Sequence, residues 1–304
     1  METPARRAHP ARKRLVQLVA IVYLNGRYLP EDEACVPVLD RGFIFGDGVY
    51  EVIPAYGGHL FRLEQHLSRL DNSLAGIRLD NPMTHAQWAE VLEEIIRRND
   101  GQDQSVYLQV TRGVAQRDHA FPDKVEQTVF VMANPMSPAA DSLLKNGIAA
   151  ITHEDIRWRY CHIKAIALLP NTLMRQVARE AGAAEAILYR DDKVTEGAAS
   201  NVFIVKNGKI LTPRKDECLL PGITRDLILE IGHDAGLDCI ESDISLEQLT
   251  GADEIWVTSS TKEILPVTQL DGKPVGNGTP GPIWRDMLDR YQQHKHLLRD
   301  GSAR

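Results

Sequence analysis

Three two-residue turn signals, Asn25-Gly26, Gly57-Gly58 and Asn207-Gly208, each separate short apolar runs along the chain. Turns of this kind fold a strand back onto its neighbour, so much of the sheet must pair locally and antiparallel. That excludes a regular alternating doubly wound sheet. With helical segments interspersed, it predicts an α+β fold. The 304 residues, 43% of them hydrophobic, exceed what a single core usually serves, so two domains are expected.

The segment 45–63 reads as a strand, the Gly57-Gly58 turn and a second strand. Leu63, Leu67, Leu70, Leu74 and Ile77 then recur at helical spacing. A second helix is expected from Thr84, where Thr84 and Gln87 have capping-box spacing; Trp88, Val91, Leu92, Ile95 and Ile96 form its apolar face, and it ends at Asn99 to Gly101. Strand-like runs at 105–111 and 127–133 flank a long polar loop, RGVAQRDHAFPDK, and loops of that length are often functional. The proline-rich NPMSPAA, 134–140, is the candidate linker. The expected division is a loose basic arm over 1–16, a small N-terminal α/β domain over 17–134, a linker over 135–140 and a larger C-terminal domain over 141–304. In that second domain, strands are expected at 147–152, 185–189, 201–205 and 254–258, and helices near 171–181, 224–235 and 282–297.

A formal charge of −7 disfavours a nucleic-acid or anionic-membrane partner, which would require a basic face. The apolar run LVQLVAIVYL, 15–24, follows Arg12, Lys13 and Arg14 in the manner of a signal peptide. It lacks a small-residue cleavage site, and it is far shorter than the roughly 20 residues of a membrane span. It reads instead as a strand entering the first hairpin. The four cysteines, Cys35, Cys161, Cys218 and Cys239, form no CxxC pair; no zinc site or disulfide framework is expected, and a reducing, cytoplasmic compartment fits.

Three places carry chemistry. Lys164 precedes the apolar run Ala165 to Leu169, and an amine beside buried surface has a lowered pKa suited to Schiff-base formation; alone, it reads rather as a snorkelling, solvated lysine. Glu196 and Gly197 stand ahead of the strand 201–205, where small residues let a ligand approach; alone, they fit a turn with one exposed acid. Pro221-Gly222 leads into a helix beginning at Ile223 and Thr224, whose free N–H groups suit a phosphate. Thr224 is either a further donor or an N-cap.

In order, RGFIFGDGVYE, HLFRLEQHLSRL, IKAIALLPN, EAILYRDDKVTEGAASNVF, LLPGITRD and VTSSTKEILPV resemble the motifs of the class IV, fold type IV, pyridoxal-phosphate aminotransferases over roughly residues 20 to 290. The resemblance implies a two-domain enzyme whose C-terminal domain, a mixed-sheet pseudobarrel, binds pyridoxal 5′-phosphate, and a homodimer with the cofactor between the domains. It makes Lys164 the lysine that holds the cofactor and Glu196 the partner of the pyridine nitrogen. Arg69, the Ile223 and Thr224 amides and Ser260 become the phosphate ligands. Ala198 and Ala199 stand where the family often has serines.

The loop residues Arg117, His119, Phe121 and Pro122, in the pattern RxHxFP, resemble the D-amino-acid aminotransferases of this family. There the arginine and histidine trap the substrate carboxylate, for which a guanidinium is well shaped. Tyr50 and Tyr107 match further tyrosines of that pocket. The implied activity is ping-pong transfer of the amino group of a D-amino acid, D-alanine foremost, to 2-oxoglutarate. The alternatives are a branched-chain L-amino-acid aminotransferase, an R-selective amine transaminase, aminodeoxychorismate lyase and, from a different class, a non-catalytic pyridoxal-phosphate binder.

Overall fold

The computed structural model describes residues 20–124 and 126–299. The expected arm over 1–16 lies outside them, as do residues 15–19 of the first expected strand. The chain opens with β1 (Ile21–Leu24) and β2 (Arg27–Pro30), joined by Asn25 and Gly26, both at positive φ as a tight hairpin demands.

A short helix follows, α1 (Arg41–Phe45), where a strand was expected from residue 45. Asp40 caps it by accepting from the Gly42 amide, and Gly46 in the left-handed region ends it. The strand β3 (Gly48–Tyr56) therefore begins three residues late and turns into β4 (His59–Leu60). Next come α2 (Leu63–Gly76) and α3 (His85–Arg98), the second carrying the complete Thr84–Gln87 capping box, then β5 (Asp103–Thr111) and β6 (Thr128–Pro135). These six strands form an antiparallel sheet in the order β2-β1-β6-β5-β3-β4. Leu67, Leu70, Trp88 and Leu92 on the helices pack against Val49, Ile53 and Val106 on the strands. β6 extends beyond residue 133 into the expected linker: Pro135, at the strand end where its missing N–H costs nothing, still pairs with Gln104.

The remainder is α4 (Asp141–Asn146), β7 (Ile148–Glu154), α5 (Leu169–Glu180), β8 (Glu185–Arg190), β9 (Lys193–Gly197), β10 (Asn201–Lys206), β11 (Lys209–Thr212), α6 (Ile223–Asp234), β12 (Cys239–Glu241), α7 (Leu246–Thr250), β13 (Glu254–Ser259), β14 (Glu263–Leu270), β15 (Lys273–Pro274) and α8 (Pro282–Arg299). The second sheet runs β12-β11-β10-β13-β14-β7-β8-β9, with β15 beside β14. It mixes antiparallel pairs with the parallel pairs β11/β12, β14/β7 and β7/β8. The fold is thus α+β, with a curled mixed sheet in the second half. β9 was not anticipated. Glu196 lies within this strand and not in the turn that the residues alone also fitted.

Several hydrogen bonds join the halves, Arg62 to Glu230 and Arg69 to the Pro221 carbonyl among them, with two further ties beside them. From α8, Lys295 donates to Glu263 at 2.7 Å, and Tyr56 of β3 donates to the same carboxylate at 3.0 Å. The other tie exists because β4 covers only the Ala55–Tyr56 end of β3. The free end bonds the Lys164 segment: the Tyr50 amide donates to the Lys164 carbonyl at 3.0 Å and the Ile166 amide to the Gly48 carbonyl at 3.1 Å.

Candidate active site

That second tie sets Lys164 at the seam between the sheets, on the wall of a cavity of about 1190 Å³. Its backbone is held further by the Ser73 hydroxyl of α2, which accepts from the Lys164 amide at 3.1 Å. Nζ lies 4.3 Å from the centroid of the Tyr50 ring. Among the described residues, no hydrogen bond or ion pair engages it.

Glu196 lines the same cavity and is only 4% exposed. It accepts from Arg157, from Asn201 Nδ2 at 3.2 Å and from the Leu220 amide at 3.1 Å. Burial pushes its pKa above the ordinary carboxylate value, and the Arg157 guanidinium opposes that shift. Arg157 is bound in turn to Asp155 through Nε at 2.9 Å and a terminal nitrogen at 2.8 Å. Burial works against its charge, but Asp155 and Glu196 outweigh burial and raise its pKa. A carboxylate that accepts three donors is arranged as an anion.

Across the cavity, α6 presents Ile223 and Thr224, both buried, as its first residues. No side chain caps this end, so its leading N–H groups are free of intrahelical partners. Gly222 is required there by close approach: a Cβ would stand 1.9 Å from Asn201 Oδ1. The other end of that amide touches Glu196 and the Leu220 carbonyl, so one asparagine joins the two ends of the site. Ser260 lines the wall, as does Thr258, whose buried Oγ1 has no hydrogen-bond partner among the described residues.

Arg69 also reaches the cavity, from α2. Nε and one terminal nitrogen grip Glu51 at 2.8 and 2.7 Å, and the other donates to the Pro221 carbonyl at 2.9 Å. Three of its five N–H groups are thereby used and two remain. His66 Nδ1 lies 2.8 Å from the same glutamate. Burial would raise the Glu51 pKa, but Arg69 and His66 reverse this and hold it far below the carboxylate range.

The residues expected to take substrate are only partly assembled. Tyr50 lines the cavity; Tyr107 stacks behind it, 5.6 Å between ring centroids, and donates to Gln109 at 2.7 Å. Arg117 and His119 are exposed and do not line the cavity. They flank Phe45, which does, at 5.4 and 5.5 Å. Their loop is fastened by Arg41, which donates to the Asp118 carbonyl at 2.6 Å. Ala198 is buried against β8, whereas Ala199 is exposed on the cavity wall, where it offers no hydroxyl.

Glu51, His66, Asp155, Arg157 and Asn201 were not singled out from the sequence. Glu51 did leave a signal, since an acid flanked by apolar residues in a buried strand must find a cation. Arg157, in a charged loop, left none.

The Amino-transferase class IV family profile matches residues 48–270. The chain is 41% identical over 271 residues to a D-alanine aminotransferase of Bacillus licheniformis, covering 89% of this chain and 95% of that one. It is 40% identical over 264 residues to a D-alanine aminotransferase of Listeria monocytogenes, covering 86% and 91%. Among solved structures, a branched-chain amino acid aminotransferase of Escherichia coli superposes with a TM-score of 0.87 at 28% identity, over 94% of this chain and 96% of that one. A branched-chain aminotransferase of Thermoproteus uzoniensis, solved with norvaline, superposes with a TM-score of 0.82 at 29% identity, over 93% and 96%.

Proposed function

The chain belongs to the class IV aminotransferases, and on that premise we propose that it moves the amino group of a D-amino acid, D-alanine foremost, to 2-oxoglutarate with pyridoxal 5′-phosphate as cofactor. The observation that carries this reading is Lys164, an amine with no hydrogen-bond partner among the described residues, facing the cavity whose wall also holds the buried Glu196.

The donors and acceptors suit that cofactor. Free helix N–H groups, the spare N–H groups of Arg69, the Thr224 hydroxyl and Ser260 supply phosphate ligands; the unpartnered Thr258 hydroxyl marks a wall built for a polar group. Glu196 supplies the anion for a ring nitrogen, and Lys164 the amine that holds the cofactor's carbonyl carbon. When bound, pyridoxal phosphate supplies an electron sink for the pair released at the substrate Cα. Glu196, held by Arg157 and Asn201, keeps a proton on the ring nitrogen. Lys164 Nζ would carry the proton between the substrate Cα and the cofactor's carbonyl carbon, in one direction in the first half-reaction and in the other in the second; the kinetics are ping-pong because the first oxo-acid leaves before the acceptor binds.

D-selectivity rests on the two relatives at about 40% identity and on the RxHxFP loop, whose Arg117 and His119, exposed beside the cavity-lining Phe45, are the proposed carboxylate-binding pair. A branched-chain L-amino-acid activity is the second reading, favoured by the structural neighbours. Phe43, Trp158 and Leu169, large apolar residues left exposed at the cavity, suit cover by a second copy, so we infer a homodimer. Four free cysteines fit the cytoplasm. Among the described residues, no helix is long and apolar enough to cross a membrane.

Purified enzyme should convert D-alanine with 2-oxoglutarate in preference to L-leucine. Its visible cofactor absorbance should vanish in Lys164→Ala. Preference for L-leucine would reject the D-specific reading, and a colourless wild type after cofactor loading would reject the enzyme.

A further inference from the structure

We propose that Arg175 and Arg179, on the cavity-facing side of α5, select dicarboxylic substrates by binding the carboxylate farthest from the reacting carbon; this rests on the aminotransferase reading above. The helix is oriented by its buried residues. Met174 and Ala178 pack against Ala186, Leu188 and Ala198, which turns the adjacent face toward the cavity. On that face Asn171, Arg175 and Arg179 follow at intervals of four residues, and Asn171 Nδ2 donates to the Ala198 carbonyl at 2.8 Å. Asn171 therefore marks the inner end, beside the strand that carries Glu196. At 1.5 Å per residue, Arg175 and Arg179 stand about 6 and 12 Å farther along the axis. Both line the cavity.

The other cavity-lining cations are committed. Arg69 is bound to Glu51, Arg157 to Asp155 and Glu196, and Lys164 is the reacting amine. Arg175 is anchored at one terminal nitrogen by the Ala184 carbonyl and, at 3.4 Å, by Glu185, which leaves its remaining N–H groups available. Arg179 is exposed and makes no side-chain hydrogen bond or ion pair among the described residues. Glu185 is the acid of this corner, and it already accepts from Ser200 at 2.9 Å and the Ala186 amide at 3.1 Å. Lys262, half-buried and off the cavity wall, senses the same charges: burial lowers its pKa, Glu185 raises it and Arg175 lowers it further. Two guanidinia on the cavity wall, Arg175 beside a carboxylate already occupied by Ser200 and Arg179 without a side-chain partner among the described residues, make this stretch of the cavity positive. A substrate whose α-carbon lies at Lys164 would direct a distal carboxylate outward to it, whereas a monocarboxylic substrate would leave it unused.

The test uses cofactor-loaded enzyme with D-alanine as donor and either 2-oxoglutarate or 2-oxobutyrate as acceptor. Arg179→Ala is suitable because the side chain is exposed, and Arg179→Glu reverses the charge. The ratio of kcat/KM for 2-oxoglutarate to that for 2-oxobutyrate is expected to fall about tenfold in Arg179→Ala, the loss of one charge-assisted hydrogen bond, and further in Arg179→Glu. Calorimetric binding of glutarate should weaken in parallel. A ratio within about twofold of wild type in both variants, or equal losses with both acceptors, overturns the proposal. A wild type that transaminates neither acceptor overturns the underlying aminotransferase reading instead.

Discussion

Replacing Glu51 tests whether the charged group beneath the cavity is held as the structure indicates. Glu51 is fully buried and Arg69 is 6% exposed, so solvent screens neither, and two hydrogen bonds at 2.7 and 2.8 Å join them. Glu51→Leu leaves the guanidinium buried with one acceptor, the Pro221 carbonyl, and releases His66. Removing one member of a buried pair costs about 3 to 5 kcal/mol, a large part of the roughly 5 to 15 kcal/mol that stabilises a typical domain. At roughly 2 °C or more per kcal/mol for a chain of this size, Tm should fall by at least about 6 °C. Circular dichroism melts of Glu51→Leu, Arg69→Leu and the double variant measure the coupling. The double variant should be about 2 kcal/mol more stable than the summed single losses, because it buries no orphaned charge. Additivity within about 0.5 kcal/mol, or a Glu51→Leu loss below about 1 kcal/mol, would refute the reasoning.

Acid should destabilise the protein through the same group. Glu51 has a folded pKa far below its ordinary 4.5, so its contribution is complete above pH 4.5 and is lost progressively below it. His66, lowered from 6.5 chiefly by burial, adds loss from that pH downward, since the unfolded chain binds the proton more readily. Glu196, whose pKa is raised, works in the opposite direction. Tm against pH should fall on acidification, and in Glu51→Gln the slope below pH 4.5 should flatten; parallel profiles would count against this assignment. Gly222→Ala places a Cβ against Asn201 Oδ1 and should cost about 1 to 3 kcal/mol while loosening cofactor retention. Thermal melts and absorbance after dialysis measure both effects, and wild-type values in each would dismiss the close approach as a constraint.

The hairpins at Asn25-Gly26 and Asn207-Gly208, the helices α2, α3, α6 and α8, and the strand cores of β5, β6, β7, β8, β10 and β13 were legible because their signals are local. Turn chemistry and the periods of 2 and 3.6 act over a few residues. β9 and α1 were not. A charged five-residue strand has no clear alternation, and the helix depends on a single Asp40 cap. The candidate site divides in the same way. Lys164 and Glu196 stood out because six motifs occur in order, whereas Arg157, Glu51 and His66 did not, because each is defined by partners that only the fold brings near.

The amino-acid sequence alone determined the family, the strand cores and hairpins named above, and the amine and acid that cofactor chemistry needs. The tertiary structure decided that the short reach of β4 leaves β3 free to bond the Lys164 segment, and that Arg69 shares its donors between Glu51 and the cavity. It also set Arg175 and Arg179 on the cavity wall while leaving Arg117 and His119 off it. Burial and long-range pairing are properties of the packed chain. A guanidinium at residue 69 acquires its carboxylate from residue 51 and its carbonyl from residue 221 only when sheet, helix and turn have met.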